Sequence, residues 1–132
     1  MPYPYNSRYY PSMPAVELAL GAPGAGFSLG PLPTIIDTGA DITTVPREYL
    51  VHLGAPVVAS GYLRNLWGER HRVKIYEVNV RVGGHDFHEI EVASEPGGRE
   101  VLLGRDVLNR LNLQLDGPNE IVVVLDEGES RG

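Results

Sequence analysis

Ile35-Ile36-Asp37-Thr38-Gly39-Ala40-Asp41 sets an aspartate directly after an apolar strand and directly before a glycine turn. That order places the Asp37 carboxylate at the rim of a core, partly out of water. A charge there is expensive unless it is hydrogen-bonded or paired, and groups kept in such places cluster at functional sites. Gly39 allows backbone to approach the carboxylate closely. The same heptapeptide also reads as an aspartate capping a turn, so its meaning rests on the sequence around it.

Upstream, Val16, Leu18 and Leu20 alternate with Glu17 and Ala19, the period of a half-buried strand. Gly21 to Gly26 breaks that strand. Gly24, Gly26 and Gly30 are spaced G-x-G-x-x-x-G, which misses the dinucleotide fingerprint, and Pro31 and Pro33 deny the helix N-terminus that a phosphate would need. A hairpin turn is the reading, followed by a short strand at Thr34–Ile36. Downstream, Pro46–Leu53 reads as a helix, with Pro46 at its first position, Glu48 in its first turn and Gly54 past its end.

Two long strands, Val57–Leu66 and Val73–Val82, flank Trp67-Gly68-Glu69-Arg70. The second changes phase: Val73 and Ile75 are apolar at odd positions, but Tyr76, Val78, Val80 and Val82 at even ones. A strand that switches faces carries a bulge or a sharp twist. Ile90 and Val92 belong to another strand, between Gly83-Gly84 and Glu95-Pro96-Gly97-Gly98. Val101-Leu102-Leu103 stops at Gly104, and Val107, Leu108 and Leu111 share one helical face within Arg105–Leu111. Ile121–Leu125 is apolar without alternation, as in a strand covered on both faces. The expected organisation is a Pro/Tyr-rich tail outside the core at 1–14, a domain at 15–125 and an acidic tail at 126–132.

Composition narrows the function. The chain has 132 residues, enough for one domain. It is 42% hydrophobic and 21% charged, so it can bury a core. No run approaches the roughly 18–20 apolar residues that span a membrane, and no signal peptide is visible. Cys is absent, which removes disulfides, thiol catalysis and cysteine-ligated metals together. A net charge of −6 opposes a general nucleic-acid binder. A cytoplasmic location is expected. With 16 Gly and 11 Pro the chain has many turns, and the reading is all-β with one or two short helices.

Ile35 to Asp41, the Val57–Val82 hairpin and Val101-Leu102-Leu103-Gly104-Arg105-Asp106 together resemble the retroviral-type aspartic proteases, the retropepsins, and their cellular relatives. The resemblance spans about residues 15 to 125. It implies a closed, barrel-like all-β domain with a hairpin flap, and a homodimeric endopeptidase needing no metal or organic cofactor. Met1 and the lack of flanking polyprotein favour a free-standing cellular member. Such enzymes activate a water between two carboxylates that share one proton. This chain has one Asp-Thr-Gly, so the second carboxylate should be Asp37 of another copy.

By the same resemblance, Thr38 bonds across the dimer, Gly39 presents backbone to substrate, and Asp41 and Arg105 form an ion pair that steadies the loop. Ala40 stands where many pepsin-like enzymes have Ser, so the carboxylate loses a hydroxyl donor. Activity is then expected at mildly acidic pH, about 5 to 6. Trp67-Gly68-Glu69 is the first candidate for the flap tip and Gly61 the second; Trp67 could equally be a core residue. Both termini are expected to add strands to the dimer sheet. The rival from another class is a catalytically silent dimerisation or peptide-binding module on the same fold.

Two further clusters have plain readings. His85 and His88, with Asp86 and Glu89, could suggest a metal, but a spacing of three on a strand turns the histidines to opposite faces. Arg64, Arg70, Arg72 and Lys74 make the hairpin basic, as a solvated exterior or, secondarily, as a surface preferring acidic peptide.

Overall fold

The computed structural model describes residues 1–64 and 67–126. Among these residues ten strands and two short helices follow one another: β1 (Pro2–Pro4), β2 (Ala15–Gly21), β3 (Leu29–Ile36), β4 (Thr44–Pro46), α1 (Arg47–Leu53), β5 (Val57–Arg64), β6 (Arg70–Val82), β7 (His85–Glu95), β8 (Val101–Leu103), α2 (Arg105–Leu108), β9 (Asn112–Asp116) and β10 (Ile121–Leu125). Leu66, the expected end of the strand at β5, and residues 127–132 of the acidic tail lie outside the described residues.

Seven strands form one sheet in the order β2-β3-β8-β4-β7-β6-β5, and β2 also pairs with β6. That extra pairing closes six strands into a barrel and leaves β5 projecting from β6 as the outer arm of a hairpin. Leu18, Leu20, Val45, Val78, Val80, Val92 and Leu103 fill the interior with almost no exposure. Among the described residues no helix is long and apolar enough to cross a membrane.

The expected phase break falls where β5 meets β6. Val57 pairs with Tyr76 and Ala59 with Ile75, so Val58 is an extra residue opposite the point where β6 changes faces. Below it Tyr76, Val78 and Val80 point into the barrel core; above it Val73 and Ile75 pack in a second cluster with Ala93, Ile42 and Leu63. The bulge therefore lets one strand serve both the barrel and the hairpin.

β3 begins at Leu29, earlier than its prolines predict. Ile36 gives its N–H to Pro14 on the β2 side, so by alternation the nitrogen of Pro33 faces the other edge. β8 pairs with β3 only at Thr34–Ile36, so no partner there misses the absent donor. The helix expected at Pro46–Leu53 forms one residue later: Pro46 ends β4 and caps α1, Leu50 is fully buried, and Gly54 ends the helix at φ 70° with N–H bonds on the Val51 and Leu50 carbonyls.

The N-terminal segment corrects the reading of an unattached tail. β1 pairs with β10, and β10 with β9, as a separate three-stranded sheet. Tyr3 is buried in the main core, where burial pushes its phenol above the ordinary tyrosine range. The Met1 ammonium donates to the Val124 carbonyl at 2.8 Å. Pro2 and Pro4 mask this strand in the sequence, yet proline is compatible with an edge strand. β1 and β10 thus pair with each other inside one chain.

This small sheet docks on the turn between β6 and β7. A Cβ on Gly83, at φ +57°, would fall 2.4 Å from Val124, whereas one on Gly84, at φ +82°, would meet nothing within 4 Å. Gly84→Ala should cost about 1 kcal/mol for its left-handed backbone alone. Gly83→Ala should cost about 2–4 kcal/mol because overpacking adds to that strain. Denaturant titration of both variants checks this, and equal losses would contradict the docking.

Candidate active site

β3 is apolar through Ile36 and delivers Asp37 to the end of the sheet. Its parallel neighbour β8 ends at Leu103, whose carbonyl accepts the Asp37 N–H at 3.0 Å. The chain then turns tightly: Ala40 N–H donates to the Asp37 carbonyl at 3.1 Å, and Gly39 N–H to Asp37 Oδ1 at 3.0 Å. A Cβ on Gly39 would stand 3.3 Å from that oxygen, so glycine keeps the amide within reach of the carboxylate. Asp37 and Ala40 are half-buried, while Thr38, Gly39 and Asp41 are exposed.

α2 is stitched to this loop from below. Arg105 N–H donates to the Ala40 carbonyl at 2.9 Å, and Arg105 Nη1 to the Thr38 carbonyl at 2.8 Å. The expected Asp41–Arg105 ion pair is not formed among the described residues. The guanidinium is taken by a backbone oxygen instead, which leaves Asp41 exposed.

The carboxylate that does secure the loop is Asp106, to which the sequence reading gave no role. Its oxygens accept the Thr43 N–H at 3.1 and 3.2 Å and the Thr43 hydroxyl at 2.7 Å. That hydroxyl accepts in turn the Gly104 N–H at 3.1 Å. Thr43 is wholly buried, so the network satisfies groups that water cannot reach. Gly104 is glycine for space: a Cβ would lie 2.7 Å from the Ile42 carbonyl carbon and 3.0 Å from the Thr43 nitrogen. The tripeptide Gly104-Arg105-Asp106 carried the signal, since one residue passes close, one bonds the loop and one anchors Thr43.

The β5–β6 hairpin adjoins this loop, its Val73, Ile75 and Leu63 clustering with Ile42. Trp67 is at its turn, 81% exposed, so it is no core residue, and Gly68 adopts φ 82°. Gly61 is not a tip. It pairs with Val73 midway along β5, and a Cβ there would touch Ile75 at 3.4 Å. The histidine cluster disperses: Asp86 binds Arg81 at 2.7 Å, His85 Nε2 lies 3.1 Å from the Leu125 carbonyl, and His88 packs near Phe27. Arg81 holds the Asp86 carboxyl below the usual carboxylate range. A cavity of about 760 Å³ lies elsewhere, lined by the N-terminal segment with Tyr49, Arg99 and Glu100, and Asp37 does not border it.

Thr43→Val keeps the shape but leaves the Gly104 N–H without its acceptor. It should lose about 1–3 kcal/mol of stability, while Thr43→Ser should lose under about 1.5 kcal/mol. Urea denaturation distinguishes them, and a silent Thr43→Val would contradict the network.

Comparison with known proteins agrees with this geometry. A family model described as "gag-polyprotein putative aspartyl protease" matches residues 29–110, which run from β3 through α2. No curated protein sequence matches the chain. Among solved structures it resembles a retropepsin-like aspartic protease from Rickettsia conorii, at 16% identity and TM-score 0.66, covering 94% of this chain and 88% of that one. It also resembles the EIAV protease complexed with the inhibitor HBY-793, at 19% identity and TM-score 0.58, covering 82% and 93%. The retroviral protease-like domain of Ddi1 from Leishmania major aligns at 17% identity and TM-score 0.51, covering 89% and 98%. These likenesses show the fold. With the loop, the hairpin and the Gly-Arg-Asp segment assembled as described, the chain belongs to the gag-polyprotein aspartyl protease family and has the retropepsin-like fold.

Proposed function

We propose that the chain is an aspartic endopeptidase whose active site forms between two copies. One observation carries the proposal: a single Asp-Thr-Gly, with its carboxylate oriented by the Gly39 N–H, stands on a partly open face of the chain. One carboxylate takes a proton from a water held between the two as the water oxygen bonds to the substrate carbonyl carbon, and the other carboxyl protonates the carbonyl oxygen. The roles then exchange: the first gives its proton to the amide nitrogen as the C–N bond breaks, and the second recovers a hydroxyl proton. Asp37 of each copy supplies one carboxylate. No metal or organic cofactor enters the reaction.

The surrounding residues support that assembly. The Thr38 hydroxyl has no partner within the described residues and is exposed, so it is free to bond the facing loop. Exposed Asp41 is likewise available to a second chain or a substrate. Gly39 offers backbone to an extended peptide, which would lie under the hairpin with Trp67 and Gly68 above it. β9 offers the joining edge: β10 covers one side of it, and Leu115 on it is 52% exposed. β1 covers the far edge of β10, so a dimer contact through β10 itself is closed, and β9 with its exposed Leu115 is the edge the proposal uses.

The test is a cleavage profile of wild type beside Asp37→Asn on a peptide library, with dimer mass measured in parallel. Wild type should cleave best at about pH 5 to 6. Asp37→Asn should lose at least about a hundredfold in rate and keep the dimer mass. A dimer that cleaves nothing between about pH 4 and 7 would identify a silent binding module instead. An optimum below about pH 3 would contradict the role given to Ala40.

A further inference from the structure

β5 ends the seven-stranded sheet: β6 holds one side of it and no strand among the described residues holds the other. Such an edge offers unpaired N–H and C=O groups to any extended chain, and proteins commonly guard it with charge. The guard here has one sign. Register sets Arg64 opposite Arg70, Tyr62 opposite Arg72 and Ser60 opposite Lys74, so these side chains share a face. Arg70, Arg72 and Lys74 are exposed, while the intervening Val73 is buried on the other face.

None of the four cations has a carboxylate partner among the described residues; Arg70 lies over the Tyr62 ring at 5.2 Å. Four of the chain's 11 Lys and Arg residues stand here, against 17 acidic residues in the whole sequence. A second copy pairing edge to edge would bring like charges together. A long polyanion would be repelled by the acidic remainder. A short extended segment with Glu or Asp at alternate positions meets neither obstacle. Its backbone continues the β5 ladder while its carboxylates reach the guanidinium groups.

We propose that β5 is a docking edge for an extended acidic segment of the protein substrate, outside the cleft, held by strand addition and by this cationic face. That the partner is a substrate rests on the protease reading; the edge and its charge do not.

Fluorescence anisotropy with the full-length Asp37→Asn chain reads docking without cleavage, so a failure to dock stays separate from a failure of catalysis. The probe is a labelled peptide matching the eight residues of β5 in length, with Glu at alternate positions and Thr between. Controls replace Glu by Gln or Lys. The Glu peptide should bind about tenfold tighter than the Gln peptide at low salt and lose that advantage at high salt. Adding Arg72→Glu with Lys74→Glu should reverse the order of the Glu and Lys peptides. The salt response needs no variant of the hairpin and stands if those substitutions disturb folding. Equal binding of Glu and Gln peptides overturns the proposal, as does tighter binding by a single-stranded oligonucleotide of equal charge. Unchanged affinity after N-methylation of the peptide's alternate amides overturns the strand addition.

Discussion

The Asp106 carboxylate holds the buried Thr43 by its N–H and its hydroxyl, and Thr43 holds the Gly104 N–H. The loop that carries Asp37 is built of small and polar residues up to Asp41, so its position depends on this network and on the bonds from Leu103 and Arg105. An exposed loop without such ties would sample many conformers, and a carboxylate on it would have no fixed direction. Two segments far apart in sequence are thereby locked into one floor. The close passage of Gly104 beneath Ile42 and Thr43 leaves no room for another residue.

Everything above the floor follows from how the sheet closes. Pairing of β2 with β6 makes the barrel, and the Val58 bulge turns the upper half of β6 away from it. The hairpin is therefore continuous with the core strand yet presents its apolar face beside Ile42, next to the Asp37 loop. The barrel wall and the projecting arm share β6, and the extra residue lies opposite it on β5. The small β1-β10-β9 sheet is joined to the same β6–β7 turn where Gly83 meets Val124, so a dimer contact at β9 would be carried on a supported platform.

Much of this was readable in the residues. The alternation around Val16–Leu20, the helix through Leu50 with its Gly54 stop, and the phase change at Ile75–Tyr76 all appear where local pattern places them. The failures share a cause, which is that pairing partners are distant in sequence. Tyr3 is isolated between prolines and becomes core only because β10 lies beside it. β9 was missed although Leu113 and Leu115 alternate with polar residues ahead of Gly117-Pro118, a signal overshadowed by the preceding helical pattern. At the site, Asp37 to Gly39 stand out locally. Asp106 does not, since nothing near it in sequence shows that its acceptor capacity serves Thr43. The Asp41–Arg105 pair was what the family resemblance implied; the Thr38 carbonyl took the guanidinium instead.

The chain supplies one floor, one hairpin and one aspartate, and the account holds that each active site needs two. Co-refolding wild type with Asp37→Asn chains at fixed total concentration and varied ratio tests that directly. If a site requires Asp37 from both copies, cleavage rate falls as the square of the wild-type fraction. A rate that falls in simple proportion would mean that one chain is sufficient, and the shared site would be wrong.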